Sequence, residues 1–149
     1  NKYFKIILKN RIDFIESELT VNSVSSGVKN FNALSGTEFE ILLKRLFEAM
    51  GFSVQITGKS GDQGGDLIAN RNGKRFLVQA KRYAGSVSNS AVQQAVAAKT
   101  HYDCSSAVVV STGEYTKGAR ELAKSNSVQL IGKNELQKKL KDYLQESWS

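Results

Sequence analysis

Several absences narrow what this chain of 149 residues can be. It holds one cysteine, Cys104. No internal disulfide can form, so nothing points to an oxidising compartment, and we expect a cytoplasmic protein. Without a second thiol or a histidine cluster beside it, Cys104 does not make a zinc site. The one histidine, His101, falls at an expected helix end, where a surface role fits better than catalysis. No apolar run approaches the roughly 18 residues needed to span a bilayer, and no signal peptide is visible. The first residue is Asn1 rather than Met, which leads us to expect a fragment or a processed product of a larger protein. Negative charge is missing from one long interval: between Asp66 and Asp103 there is no acidic residue, while Arg71, Lys74, Arg75, Lys81, Arg82 and Lys99 all fall there.

What is present describes a globular protein. Hydrophobic residues make up 40% and charged residues 23%, within the usual globular range. The length suits one domain with a real hydrophobic core and is too short for two good ones. The formal net charge of +7 suits a polyanionic partner, either nucleic acid or an anionic membrane surface.

The pattern of apolar residues gives the organisation. Phe4, Ile7, Leu8, Ile12, Ile15 and Leu19 recur at helical spacing, predicting a helix over residues 3–19. Residues 22–32 are rich in Ser, Asn and Gly and read as a linker. We therefore expect residues 1–32 to form an N-terminal helix and linker, a remnant of a larger protein, and residues 33–149 to form the main domain. Ser35 or Thr37 caps the next helix, with Glu38 three residues after Ser35 as in a capping box. Its stripe is Phe39, Leu42, Leu43, Leu46, Phe47 and Met50, and Gly51 stops it. A strand follows at residues 52–57, a loop at 58–65, a short strand at 66–70, a hairpin turn at Asn70-Arg71-Asn72-Gly73, and a strand at 75–83. A helix from Ser88 or Ser90, a buried strand at 107–111, a helix at 116–124, a strand at 128–131 and a helix at 133–145 complete the chain. Strands come first as a meander and later with helical crossovers. That order predicts an α/β fold with a mixed sheet flanked by helices.

The chemistry sits in one spacing: Gly61-Asp62-Gln63-Gly64-Gly65-Asp66, then Gln79-Ala80-Lys81. Side chains alternate along a strand, so Gln79 and Lys81 share a face, about 7 Å apart at their Cα atoms. The hairpin turn at Gly73 brings Asp66 beside them. Phosphodiester hydrolysis calls for a cation that neutralises developing charge and lowers the pKa of a water. Mg²⁺ prefers oxygen ligands and keeps several waters, so one or two protein oxygens suffice. Asp66 supplies the charged ligand, and the Gln79 side-chain oxygen or the Ala80 main-chain carbonyl adds another. Lys81 orients or activates the attacking water and stabilises the phosphorane charge. Glu40, beside the apolar stripe of its helix, is a candidate further carboxylate. The competing reading makes Glu40 an exposed helix charge paired with Lys44. Asp62 and Asp66 could also simply cap backbone amides in a glycine-rich loop. The missing acidic ladder and closing Glu argue against an EF-hand. The missing Gly-Lys-Ser/Thr ending at residues 58–65 argues against a phosphate-binding loop.

Taken together, Gly36-Thr37-Glu38-Phe39-Glu40, Met50-Gly51-Phe52, Gly61 to Asp66 and Val78-Gln79-Ala80-Lys81-Arg82-Tyr83 resemble the catalytic domain of Mrr-type restriction endonucleases. This is a branch of the PD-(D/E)xK nuclease superfamily. The run Val108 to Gly113 and the helix around Ala119 resemble its C-terminal half. The resemblance covers roughly residues 35–140. It implies a restriction-endonuclease-like three-layer α/β/α core around a central mixed β-sheet. It implies a Mg²⁺-dependent endonuclease, with Mn²⁺ able to substitute, acting on double-stranded DNA. Asp66 would be the metal-binding aspartate, Lys81 the catalytic lysine, Glu40 the helix carboxylate, and Gln79 the amide that stands where the wider superfamily has Glu or Asp. That amide removes one negative charge, which gives Glu40 more weight. We expect Lys59, Arg82 and Lys117 to touch the phosphate backbone. Such domains are associated with restriction of modified DNA, with recognition in a separate domain, and cutting both strands suggests a homodimer. The alternative from another class is a DNA-binding module that keeps the fold without turnover.

Overall fold

The computed structural model describes residues 27–61, 64–83 and 85–149, with the backbone alone at residues 59–61 and 64. The helix expected at residues 3–19, and Asp62, lie outside the described residues. A five-stranded sheet runs in the order β1-β2-β3-β5-β7. The strands are β1 (Ser53–Gly61), β2 (Gly64–Arg71), β3 (Lys74–Lys81), β5 (Ser106–Ser111) and β7 (Val128–Ile131). β1, β2 and β3 are antiparallel, and β3, β5 and β7 are parallel. Two-residue strands β4 (Ser86–Val87) and β6 (Glu114–Tyr115) pair in parallel beside it. The helices are α1 (Gly36–Ala49), α2 (Asn89–His101), α3 (Lys117–Ser125) and α4 (Lys133–Leu144).

Each face of the sheet carries its own core, so the molecule has three layers. On one face, Phe39, Leu42, Leu43, Leu46 and Phe47 of α1 and Leu136 and Leu140 of α4 meet Leu67, Val78 and Val110. Burial of each such leucine contributes about 1.5–3 kcal/mol. On the other face, α2 and α3 present mainly Ala91, Val92, Ala95, Ala119 and Ala123 to Ile68, Leu77 and Val109. Small residues there bring the helix axes close to the strands. The sequence-predicted capping box forms: Glu38 N–H donates to Ser35 Oγ at 3.1 Å, and Ser35 N–H donates to Glu38 Oε1 at 3.0 Å.

The β2–β3 turn sets everything downstream. Asn72 and Gly73 have φ of 53° and 77°. Two positive φ values in a two-residue loop twist in the same sense as the strands they join. Pairing starts at Arg71↔Lys74 and reaches Asp66↔Gln79 without a slip.

Three expectations are corrected. Residues 58–61 and 64–65, expected as loop, are strand: β1 continues to Gly61 and β2 begins at Gly64, so Asp66 is the third residue of its strand, not the first. The glycine that suggested a loop is accommodated as an irregularity, with a register shift between Ile56 and Ser60 and Gly58 at φ +67°. β3 ends at Lys81, short of Tyr83, because Thr112 takes over the hydrogen bonding of Tyr83. The C-terminal part of the segment read as a linker is packed: Phe31 is buried and stacks on Trp148 with ring centroids 5.1 Å apart. Lys29 and Arg45 both pair with Glu146 there, at 3.1 and 3.0 Å.

Candidate active site

The site lies where β3 leaves the core. Phe76, Val78 and Ala80 turn to the α1–α4 side, and Leu77 turns to the α2–α3 side. By the same alternation Gln79 and Lys81 follow Leu77. Asp66, the direct cross-strand partner of Gln79, shares that face, since opposed residues in an antiparallel pair point the same way. Thr57 fixes the backbone of Asp66 by donating its hydroxyl to the Asp66 carbonyl at 3.0 Å.

Helix α2 passes over this face and supplies Gln94. Its side-chain oxygen accepts from Lys81 Nζ at 2.9 Å and from Gln79 Nε2 at 3.3 Å. Gln79 is only 5% exposed, and its Oε1 is buried with no hydrogen-bond partner among the described residues. A buried acceptor left unused costs free energy. The Asp66 carboxyl titrates above the ordinary carboxylate range. Burial is the main cause, the charge of Glu40 adds to it, and Lys81 and, more weakly, His101 oppose it. Glu40 reaches this neighbourhood from α1, where it is 1% exposed. It is not the exposed partner of Lys44, which pairs instead with Glu48 at 3.8 Å.

Behind Lys81, the turn after β5 grips the main chain. Ser111 Oγ donates to the Lys81 carbonyl at 2.7 Å, and Gly113 N–H donates to Ser111 Oγ at 3.0 Å. Thr112 Oγ1 accepts from Tyr83 N–H at 3.0 Å. Beside Lys81 a cleft of ≈ 240 Å³ opens, lined by Tyr83, Ser86, Ser88, Ser90 and Gln94 among others and, among the described residues, by no acidic side chain.

Of the residues expected from sequence, Asp66, Gln79 and Lys81 therefore meet, with Glu40 close enough to act on Asp66. Ala80 lies between Gln79 and Lys81 with its methyl in the core. Arg82 follows Lys81 and is half-buried, with Nε enclosed and without a partner among the described residues. Lys117 stands at the start of α3, exposed and 3.9 Å from Glu121. The Lys59 side chain lies outside what is described. Sequence reasoning missed Gln94, Thr57 and Ser111. The run Val108 to Gly113 carried a signal for Ser111, whereas Gln94 sits in a plain Gln93-Gln94 pair with no motif around it.

The donor set suits a hard divalent cation: one half-buried carboxylate, an unused amide oxygen beside it and a second buried carboxylate nearby. Among the described residues no three His, Cys, Asp or Glu side chains cluster.

The sequence model of a restriction endonuclease family, Mrr_cat, matches residues 31–140. Two solved structures share the fold. One is titled a protein of unknown function, AF1548, with a TM-score of 0.51 at 18% identity over 61% of this chain and 54% of that one. The other is the DNA modification-dependent restriction endonuclease AspBHI, with a TM-score of 0.50 at 16% identity over 70% of this chain and 30% of that one. The chain thus spans about half of the first and under a third of the second. Comparison with curated proteins gives no match.

Proposed function

The chain belongs to the Mrr_cat family of restriction endonucleases, and from that premise we propose that it is a metal-dependent endodeoxyribonuclease that hydrolyses phosphodiester bonds of double-stranded DNA. The observation that carries the reading is the opposition of Asp66 and Gln79 across the β2–β3 ladder, with the Gln79 oxygen unused and Lys81 two residues on along the same face.

Asp66, Gln79 Oε1, the Ala80 main-chain carbonyl and Glu40 would hold Mg²⁺, with Mn²⁺ as a substitute. When bound, the ion supplies charge neutralisation at the phosphodiester and makes the attacking water more acidic. The protein does the rest through position and charge. Gln94 holds the Lys81 ammonium at 2.9 Å, so the ammonium is already aimed before substrate arrives. From there it orients the water for in-line attack on phosphorus and stabilises the charge that gathers on the phosphoryl oxygens. The P–O bond opposite the water breaks, leaving one strand end with the phosphate and the other with a hydroxyl. Arg82, Lys59 and Lys117 serve as backbone contacts, and the net charge of +7 draws the duplex in.

The biological role we propose is restriction or DNA processing, with modified DNA as one substrate class and its recognition assigned to a further domain. Cutting both strands would use two copies of the site, hence a homodimer. The test is incubation of the purified protein with supercoiled plasmid and Mg²⁺, Mn²⁺ or EDTA. We expect nicked and linear products with either ion and none with EDTA. Salt-sensitive DNA binding without cleavage under any ion would overturn the enzymatic reading in favour of a binding module.

A further inference from the structure

We propose that Gln94 is a positioning residue that sets the amide polarity of Gln79, so that its oxygen and not its NH₂ faces the cation. The inference rests on the metal-nuclease reading above. It starts from a difference between a carboxylate and an amide. A carboxylate presents oxygen whichever way it is turned, whereas an amide presents oxygen on one side and two N–H donors on the other. At position 79 the wrong rotamer would aim N–H groups at a cation.

The structure holds a chain of hydrogen bonds that excludes that rotamer. It begins at Lys81, whose ammonium only donates. Lys81 Nζ lies 2.9 Å from Gln94 Oε1, and a turned-over Gln94 would bring its NH₂ against the ammonium. The oxygen of Gln94 is therefore the atom that faces β3. The same oxygen lies 3.3 Å from the Gln79 side chain. Two oxygens cannot hydrogen-bond each other, so Gln79 must offer its NH₂ there. Its own Oε1 is left on the opposite side, buried and without a partner among the described residues, next to Asp66 across the ladder. Lys81 thus fixes Gln94, and Gln94 fixes Gln79. Its neighbours Ala91 and Ala95 pack against the sheet and, being small, let α2 carry Gln94 within reach of the end of β3.

The experiment compares wild type, Gln94→Leu, Gln94→Glu and Gln94→Leu/Gln79→Glu. Gln94 is a solvent-exposed residue, and melting curves establish that each variant is folded. The first readout uses metal-free protein: the side-chain NH₂ resonances of Gln79 in ¹⁵N NMR. The second is the affinity for Mn²⁺ by calorimetry. For Gln94→Leu we expect the Gln79 resonances to shift, and Mn²⁺ affinity to fall about 10–100-fold, the usual effect of losing a residue that orients a metal ligand. Gln94→Glu keeps an oxygen facing both partners and should match wild type in both readouts. Adding Gln79→Glu to Gln94→Leu should recover most of the lost affinity, because a carboxylate needs no orienting. Unmoved resonances with unchanged affinity in Gln94→Leu, a loss in Gln94→Glu, or no recovery in the double variant would each overturn the assignment. If wild type cuts DNA and Gln94→Leu binds Mn²⁺ equally well, only the role of Gln94 fails. If wild type neither binds Mn²⁺ nor cuts, the metal-nuclease reading fails and takes this inference with it.

Discussion

Asp66 and Gln79 are direct partners at the end of the β2–β3 ladder, and the carboxyl of the first is held above its ordinary titration range, chiefly by burial. A carboxyl raised in the folded state binds its proton more tightly there than in the unfolded chain. The fold therefore loses stability as pH rises from the ordinary value of 3.8 through the raised one, and the penalty is complete above it. We expect Asp66→Asn to melt at a higher temperature than wild type at neutral pH without metal. The difference should vanish in acid below the ordinary Asp value. Cleavage should fall about 10²-fold or more in the same variant. A lower melting temperature for Asp66→Asn at neutral pH would sink this account of the carboxyl.

The same carboxyl gives metal binding a pH dependence. Asp66 must be ionised to hold a cation, so binding releases a proton whenever Asp66 starts protonated. Mn²⁺ affinity should fall on acidification at pH values where an ordinary aspartate is still fully charged. Titrations at stepped pH check this, and in Asp66→Asn the slope should disappear along with most of the binding.

Lys81 carries the next expectation. Among the described residues its ammonium has one side-chain hydrogen-bond partner, Gln94, and it lies at the end of β3 rather than in a core. Lys81→Ala should leave the melting temperature close to wild type, as surface substitutions do. Plasmid cleavage should drop about 10²–10⁴-fold, the span associated with a positioned proton-transfer group. Equal cleavage by the variant and wild type would remove Lys81 from the chemistry.

Much of this was legible in the chain, for identifiable physical reasons. The stripe from Phe39 to Phe47 gave α1 because a helix that buries one face must repeat at 3.6 residues. Asn72-Gly73 gave the turn because few other pairs tolerate two positive φ values, and the register that opposes Asp66 to Gln79 followed from it. The glycines misled at residues 58–61 and 64–65, since glycine marks a strand irregularity as readily as a loop. Phe31 was hidden inside a Ser- and Asn-rich stretch because its partner, Trp148, lies at the other end of the chain. Gln94 was out of reach for the same reason: its importance comes from α2 crossing β3, and no local pattern encodes a crossing.

The turn after β5 allows a sharper test of how Lys81 is held. A methyl group added at Gly113 would lie 2.4 Å from the Gly85 carbonyl oxygen and 2.9 Å from that of Tyr83. Both are backbone atoms, so the chain leaving Lys81 must move. We expect Gly113→Ala to cost about 1–3 kcal/mol of stability, as overpacking does, and to lower cleavage as well. Gly118→Ala is the contrast. Its methyl would meet the Asn89 side chain, with Oδ1 at 2.5 Å, and a side chain can rotate away. Chemical denaturation should therefore separate the two variants, with Gly118→Ala much the milder. Equal effects would mean that the backbone at Tyr83 and at Gly85 yields freely and does not brace the lysine.

Glu40 is the most buried charged residue of the described chain, at 1% exposure, and its charge acts on Asp66 from a different layer of the fold. That separation makes its contribution measurable by itself. Glu40→Gln keeps the shape and removes the charge. With the repulsion gone, the Asp66 carboxyl should titrate closer to its ordinary value, which favours its ionised form. If Glu40 served only to tune Asp66, Mn²⁺ would then bind at least as well as before. We expect the opposite, a loss of about 10–100-fold, because Glu40 is proposed as a metal ligand. Carboxyl ¹³C NMR of Asp66 follows the first effect and calorimetry follows the second. A downward shift of the Asp66 titration with no loss of Mn²⁺ affinity would remove Glu40 from the metal site and leave it as an electrostatic neighbour alone.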